Sequence, residues 1–167
     1  GLGDVYKRQP LLGLEHIRIH HMDGVDYLRN MSHVDCLFLD PARRDGHGGK
    51  TVAISDCEPD ISALESLLVE KADKVMVKLS PMLDLSLALK ELKTVSEVHI
   101  VSVNNECKEL LLLLQKSPIS SNLLIHCELS TQAGESQHYV FTQELEKLSS
   151  CPLAGQVETY LYEPNAS

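Results

Sequence analysis

VDCLFLDPARR, residues Val34 to Arg44, is the stretch whose reading decides the fold. Val34 and Cys36 to Leu39 form a short, nearly unbroken apolar run, which predicts a strand buried on both faces. The run stops at Asp40, and Pro41, which has no N–H and fixes its own φ, predicts the end of ladder pairing there. An acid, a proline and two arginines, Arg43 and Arg44, therefore follow the carboxyl end of a predicted core strand. In open α/β sheets that edge is where ligands bind. The plainer alternative is that Asp40 caps a turn and the arginines are solvated.

Composition bounds the rest. The chain has 167 residues, 43% of them hydrophobic, enough for one core but not comfortably for two. Its five cysteines show no CxxC spacing, which fits small apolar fillers in a reducing, cytoplasmic setting. The leucine run 110–114 is far too short to span a bilayer, and no membrane association is expected. A formal charge of −9 argues against these residues alone gripping a nucleic-acid backbone, which needs clustered Lys and Arg. The eight histidines show no metal-ligand spacing, and no metal is expected. His20 and His21, adjacent on a predicted strand, point to opposite faces.

Both ends differ from the middle. The opening GLGDVYKRQ resembles read-through of a transposon end used in sequencing libraries. Residues 1–9 are therefore expected to be a cloning or sequencing remnant, and setting them aside keeps the balance acidic. The closing YLYEPNAS breaks off in a strand-like run, so the chain reads as an internal piece of a longer protein.

Between these ends, strand and helix patterns alternate. HIRIHHM (16–22) predicts a strand with Ile17 and Ile19 on one face. Asp23 closes it, and Gly24 opens a short helix to about Asn30. After the strand that ends at Asp40, DGHGGK (45–50) is a glycine-rich loop without the GxxxxGK[ST] pattern of a P-loop. A short strand is predicted at 51–54. Asp60 is a good N-cap for a helix to Lys71, with Ile61, Leu64, Leu67 and Leu68 at helical spacing.

KVMVKL (74–79) predicts the next buried strand, ended by Ser80-Pro81. Asp84 caps a helix bearing Leu85, Ala88, Leu89 and Leu92, and EVHIVSV (97–103) predicts a further strand. Asn104 or Asn105 is then expected to cap a helix to about Lys116. Residues 123–129 and 138–141 read as an antiparallel pair at a sheet edge. Strands joined by helices of this length imply right-handed crossovers and a parallel sheet. The fold class is α/β: an incomplete Rossmann-like sheet of parallel strands with an antiparallel edge.

LDPARRDGHGGKTVAISDCEPD, KADKVMVKLSPMLDL and VHIVSVNNECKELLLLL together resemble the second half of a bacterial class I S-adenosylmethionine-dependent methyltransferase. The likeness is narrower still to the family in which a THUMP-like domain follows the catalytic domain. It implies three divisions: the remnant 1–9, the carboxyl-terminal part of a methyltransferase domain at 10–156, and the start of a THUMP-like domain at 157–167. Asp23 stands where the family's acid accepts from the adenine amino group, with Gly24 letting backbone approach. Its alternative as a helix N-cap is compatible with that role.

Asp40 and Pro41 fall on the family's catalytic motif beside the transferred methyl, Asp40 as acceptor and Pro41 shaping the wall. Arg43 or Arg44 would pair with a substrate phosphate, or else with local acids such as Asp45 or Asp56. Lys78 and Ser80 would sit next to Asp40 and contact substrate, or Lys78 would snorkel from its strand end. On this resemblance Asp23 and Asp40 share one rim of the sheet.

The resemblance implies methyl transfer from S-adenosylmethionine, with RNA (tRNA or rRNA) as the partner through the THUMP-like association. The stretch after Lys78 holds no cysteine, against covalent catalysis at carbon 5 of uracil. The family's glycine-rich turn after its first strand, and the acid after its second, are not among these residues. The chain by itself is therefore expected to be inactive and to bind the cofactor weakly or not at all. The alternative reading is a non-catalytic Rossmann-like module that binds a nucleotide or RNA.

Overall fold

The computed structural model describes residues 8, 10–43, 53–117, 122–131, 134–150 and 155. The predicted amino-terminal remnant apart from Arg8, the loop 45–50, the start of the predicted strand at Thr51 and the predicted THUMP-like start at 157–167 lie outside them. The chain divides into two compact units, one ending at Met31 and one beginning at Ser32. Among the described residues, no helix is long and apolar enough to cross a membrane.

The first unit contains helix α1 (Gly24–Asn30), capped by Asp23, whose Oδ1 accepts from Val25 N at 2.9 Å and Asp26 N at 3.0 Å. That cap satisfies two of the backbone donors that every helix start leaves over. The strand predicted at 16–22 is not formed. Ile17 N instead donates to Leu14 O in a turn, and Ile17 is 44% exposed. Alternation supplies a strand with a face, but a strand also needs a bonded neighbour.

The second unit is built on a six-stranded open sheet. Its strands are β1 (Val34–Leu39), β4 (Ala72–Leu79), β5 (Val95–Val103), β6 (Glu106–Leu114), β7 (Leu124–Ser130) and β8 (Ser136–Thr142). Their spatial order is β1-β4-β6-β5-β7-β8. β1 pairs in parallel with β4, and β5 with β7, while β6 runs antiparallel to both its neighbours and β8 antiparallel to β7. A separate two-stranded ribbon joins β2 (Ala42–Arg43) to β3 (Cys57–Glu58). Pro41 thus ends β1, but pairing resumes one residue later in a different sheet. The strand predicted to reach Ile54 is instead a 3-10 turn over Ile54–Asp56.

Helix α2 (Ile61–Lys71) links β1 to β4, and α3 (Leu85–Glu91) links β4 to β5. Their predicted caps are in place: Asp60 Oδ1 accepts from Ala63 N at 3.2 Å and Asp84 Oδ1 from Leu87 N at 3.0 Å. Both crossovers step the same way across the sheet, so the usual right-handed connection puts both helices on one face. Burial agrees: Val75, Val77, Leu79, Val98, Leu110, Leu112, Leu114, Ile125 and Cys127 are buried on that side. A Glu65 oxygen on α2 accepts from Lys93 N, Thr94 N and Thr94 Oγ1, each at 2.7 Å, tying α2 to the turn that launches β5. A final short helix, α4 (Gln143–Leu148), is capped by Thr142.

Two expectations about this sheet are corrected. β1 is not buried on both faces; it is an edge strand, and Phe38 is 58% exposed. The apolar run is real, but α2 and α3 pack on one face of the sheet, and on the opposite face Phe38 stays exposed. The helix predicted over 105–116 is strand β6. Asn104 and Asn105 are not a cap; both have positive φ (51° and 57°) and form the two-residue turn between β5 and β6. That is the φ pattern of a type I′ hairpin turn, which favours Asn because few L side chains tolerate it. Leucine's helix preference is weak and yields to the two ladders flanking β6.

Replacing Asn105 by Ala should therefore destabilise the chain by about 1 kcal/mol, since Ala resists the left-handed region. A helix cap at Asn104 would leave Asn105 inside the first turn, where Ala stabilises, so the sign of the change in urea midpoint decides between hairpin and helix.

Candidate active site at the carboxyl rim of the sheet

The parallel register pairs Leu39 with Val77, so the next residues in each strand, Asp40 and Lys78, stand side by side at the carboxyl rim. Lys78 Nζ lies 2.8 Å from Asp40 Oδ2. Lys78 is on the sheet face opposite α2 and α3, since its neighbours Val77 and Leu79 are the buried ones. Its stem rests against the sheet while its charge reaches the rim, as expected of a long cation in a strand. The pair is partly solvated, so it adds little to stability. What it fixes is the direction of the Asp40 carboxylate.

The hydrogen bond to Asp40 is the largest cause holding Lys78 above the ordinary lysine value; desolvation opposes it next, and the charges of Asp40 and Glu109 add to the rise. Lys78 is therefore an ammonium at neutral pH and a donor, not a base. Asp40, more than half exposed, is a carboxylate on this rim able to accept a proton or an N–H.

Around this pair is an open cleft of about 280 Å³, lined among others by Asp40, Pro41, Lys78, Ser80, Lys108 and Glu109. It falls just short of the roughly 300–1,000 Å³ in which drug-sized ligands sit, so it suits one reacting group of a larger molecule. Ser80 also serves the local turn, its Oγ accepting from Met82 N at 3.2 Å.

Lys108 and Glu109 were not predicted as site residues. They enter because β6 begins at this rim, and Lys108 is itself paired with Glu106 at 2.6 Å. The alternation ECKEL after a two-residue Asn turn is the signal that could have found them.

Among the described residues, no cysteine lines the cleft. Cys107, near it in sequence, has its thiol pushed up first by burial, with a hydrogen bond from Ser102 acting the other way. It offers no ready thiolate. Arg43 lies in β2, and Arg44 is outside the described residues. Asp23 and Gly24 belong to the first unit. Both capping bonds fall on Asp23 Oδ1, and a Cβ at Gly24 would meet nothing within 4 Å.

The chain matches no family model and no curated protein. It is similar to a crystal structure from Porphyromonas gingivalis W83 described as a "putative methyltransferase". The two are 33% identical, with a TM-score of 0.66 over 86% of this chain and 35% of the other. The chain thus spans about a third of that structure's length and shares its α/β fold over that span.

Because Asp40 is the main cause of the Lys78 shift, Asp40→Asn should lower the Lys78 titration midpoint, followed by NMR of the lysine side chain. In the unsubstituted chain the pair persists from neutral pH upward and is lost only as pH rises through that raised value. An unchanged midpoint in the variant would mean that the two groups do not interact in solution.

Proposed function

We propose that the chain forms the substrate-side rim of an S-adenosylmethionine-dependent methyltransferase domain that acts on RNA. The observation that carries this reading is the Asp40–Lys78 pair at the carboxyl edge of a parallel strand pair. That edge belongs to a fold shared with a protein described as a "putative methyltransferase", and it is where open α/β sheets take their ligands.

In this reading Asp23 accepts from the adenine amino group of the cofactor, and Gly24 leaves room for it. S-adenosylmethionine, when bound, supplies an electrophilic methyl group. Asp40 accepts the hydrogen bond, or the proton, of the target group and orients its lone pair. Lys78 stays charged and holds the Asp40 carboxylate in one direction, while Pro41 and Ser80 wall the cleft. Arg43 and Arg44 follow on the chain, where a planar guanidinium suits a phosphate of the substrate. Positioning supplies most of the rate in such a displacement, because no covalent intermediate is needed.

RNA as the substrate rests on the likeness of the closing residues to a THUMP-like start; the acidic balance of the chain does not add to it. A cytoplasmic location is part of the same proposal.

The test is transfer of tritiated methyl from S-adenosylmethionine to total RNA by the protein expressed from its whole gene. Asp40→Ala should lower turnover by about 10²–10⁴ and leave cofactor affinity nearly unchanged. Label entering protein or small molecules instead would keep the methyl transfer and remove RNA. No transfer to any fraction would leave a non-catalytic nucleotide- or RNA-binding module.

A further inference from the structure

Away from this rim, the register of β5, β7 and β8 gathers imidazoles on the face of the sheet opposite α2 and α3. Period two puts Glu97 and His99 on one side of β5. The parallel register sets His99 directly beside His126 of β7, and Glu128 of β7 beside His138 of β8. The rings form a stack: His99 to His126 at 4.5 Å and 10°, then His126 to His138 at 5.6 Å and 11°. Glu97 Oε2 lies 3.2 Å from His99 Nε2 and 3.8 Å from His126 Nε2.

The nitrogen of interest is His126 Nε2. It is buried and has no hydrogen-bond partner. A buried imidazole nitrogen left so costs free energy, and native structures rarely tolerate it without a reason. One divalent ion would satisfy it together with the two groups it faces.

We propose that Glu97, His99 and His126 bind a divalent transition metal ion of the zinc type. One ligand atom from each lies within 4.8 Å of the others. Tetrahedral bonds of 2.0–2.2 Å put ligand atoms about 3.3 Å apart. The Glu97–His99 separation already meets that figure; the stacked rings of His99 and His126 would tilt apart so that both in-plane lone pairs meet at the ion.

Two imidazoles and one carboxylate are a donor set that zinc accepts, with the fourth position left for water. Calcium and magnesium, which want oxygen ligands, are poorly served. The other nitrogen of His126, Nδ1, stands 3.4 Å from His138 Nε2, which is 3.2 Å from Glu128 Oε1. With the metal on Nε2, His126 Nδ1–H would donate to His138 Nε2, as metal-bound histidines give their other N–H to a supporting acceptor. The ion would clamp β7 to β5. This site does not depend on the methyl-transfer reading, because none of its groups lines the rim cleft.

The experiment titrates the chelator-treated chain with Zn²⁺ by calorimetry and with Co²⁺ by absorption. One equivalent should bind, raise the melting temperature and come off with chelator. Bound cobalt should show visible bands of a nitrogen and oxygen site and no thiolate charge transfer. His126→Ala and His99→Ala should each weaken binding by more than about tenfold, and His138→Ala by less. Glu97→Gln, a near-isosteric change, should also weaken it, and decides the matter if either alanine variant fails to fold by circular dichroism. Absence of binding, binding unchanged in the folded variants, or thiolate charge transfer would each overturn the proposal.

Discussion

The parallel register of β1 on β4 is the constraint on which the rim depends. Leu39 against Val77 sets Asp40 beside Lys78, and the 2.8 Å contact follows from that alignment. Side chains alternate along a strand, so a slip of one residue would carry Lys78 to the other face. Val75, Val77 and Leu79 resist the slip, because moving them out of the buried layer would expose three apolar side chains at once. The polar pair is thus positioned by apolar side chains on the opposite face of the strand.

The second determinant is the insertion of β6 between β4 and β5. Its leucines serve two ladders: Leu110, Leu112 and Leu114 pack into the helix-covered layer, while Leu111 and Leu113 face the other way, half-buried. A run with no polar alternation suits a strand with one face buried and the other half-buried. β6 also runs against its neighbours, so its first residues reach the same rim as the last residues of β4. This is how Lys108 and Glu109 come to share a cleft with Asp40.

Local chemistry was the most legible part of the sequence. Asp23, Asp60 and Asp84 announce their helices because a cap is a short-range hydrogen bond. Strands bounded by Pro41 and Ser80-Pro81 were equally readable. What failed was whatever depended on a partner distant in sequence. HIRIHHM has a strand's alternation without a strand's neighbour, and VDCLFL has a core strand's composition at a sheet edge. The Asn104-Asn105 pair carries two meanings, and the choice between cap and turn lies in what flanks the following leucines. Glu97, His99 and His126 show no ligand spacing along the chain because the sheet, and not the sequence interval, brings them together.

β1 has a consequence of its own. Among the described residues no strand is bonded to its outer side, so a row of backbone donors and acceptors lies along it, next to the exposed ring of Phe38. Such a border is a template for intermolecular β-pairing, which natural sheets blunt with charge. Asp35, exposed within β1, is the one carboxylate in that strand. The charge that blunts this border is therefore one aspartate, and not the chain's overall negative balance.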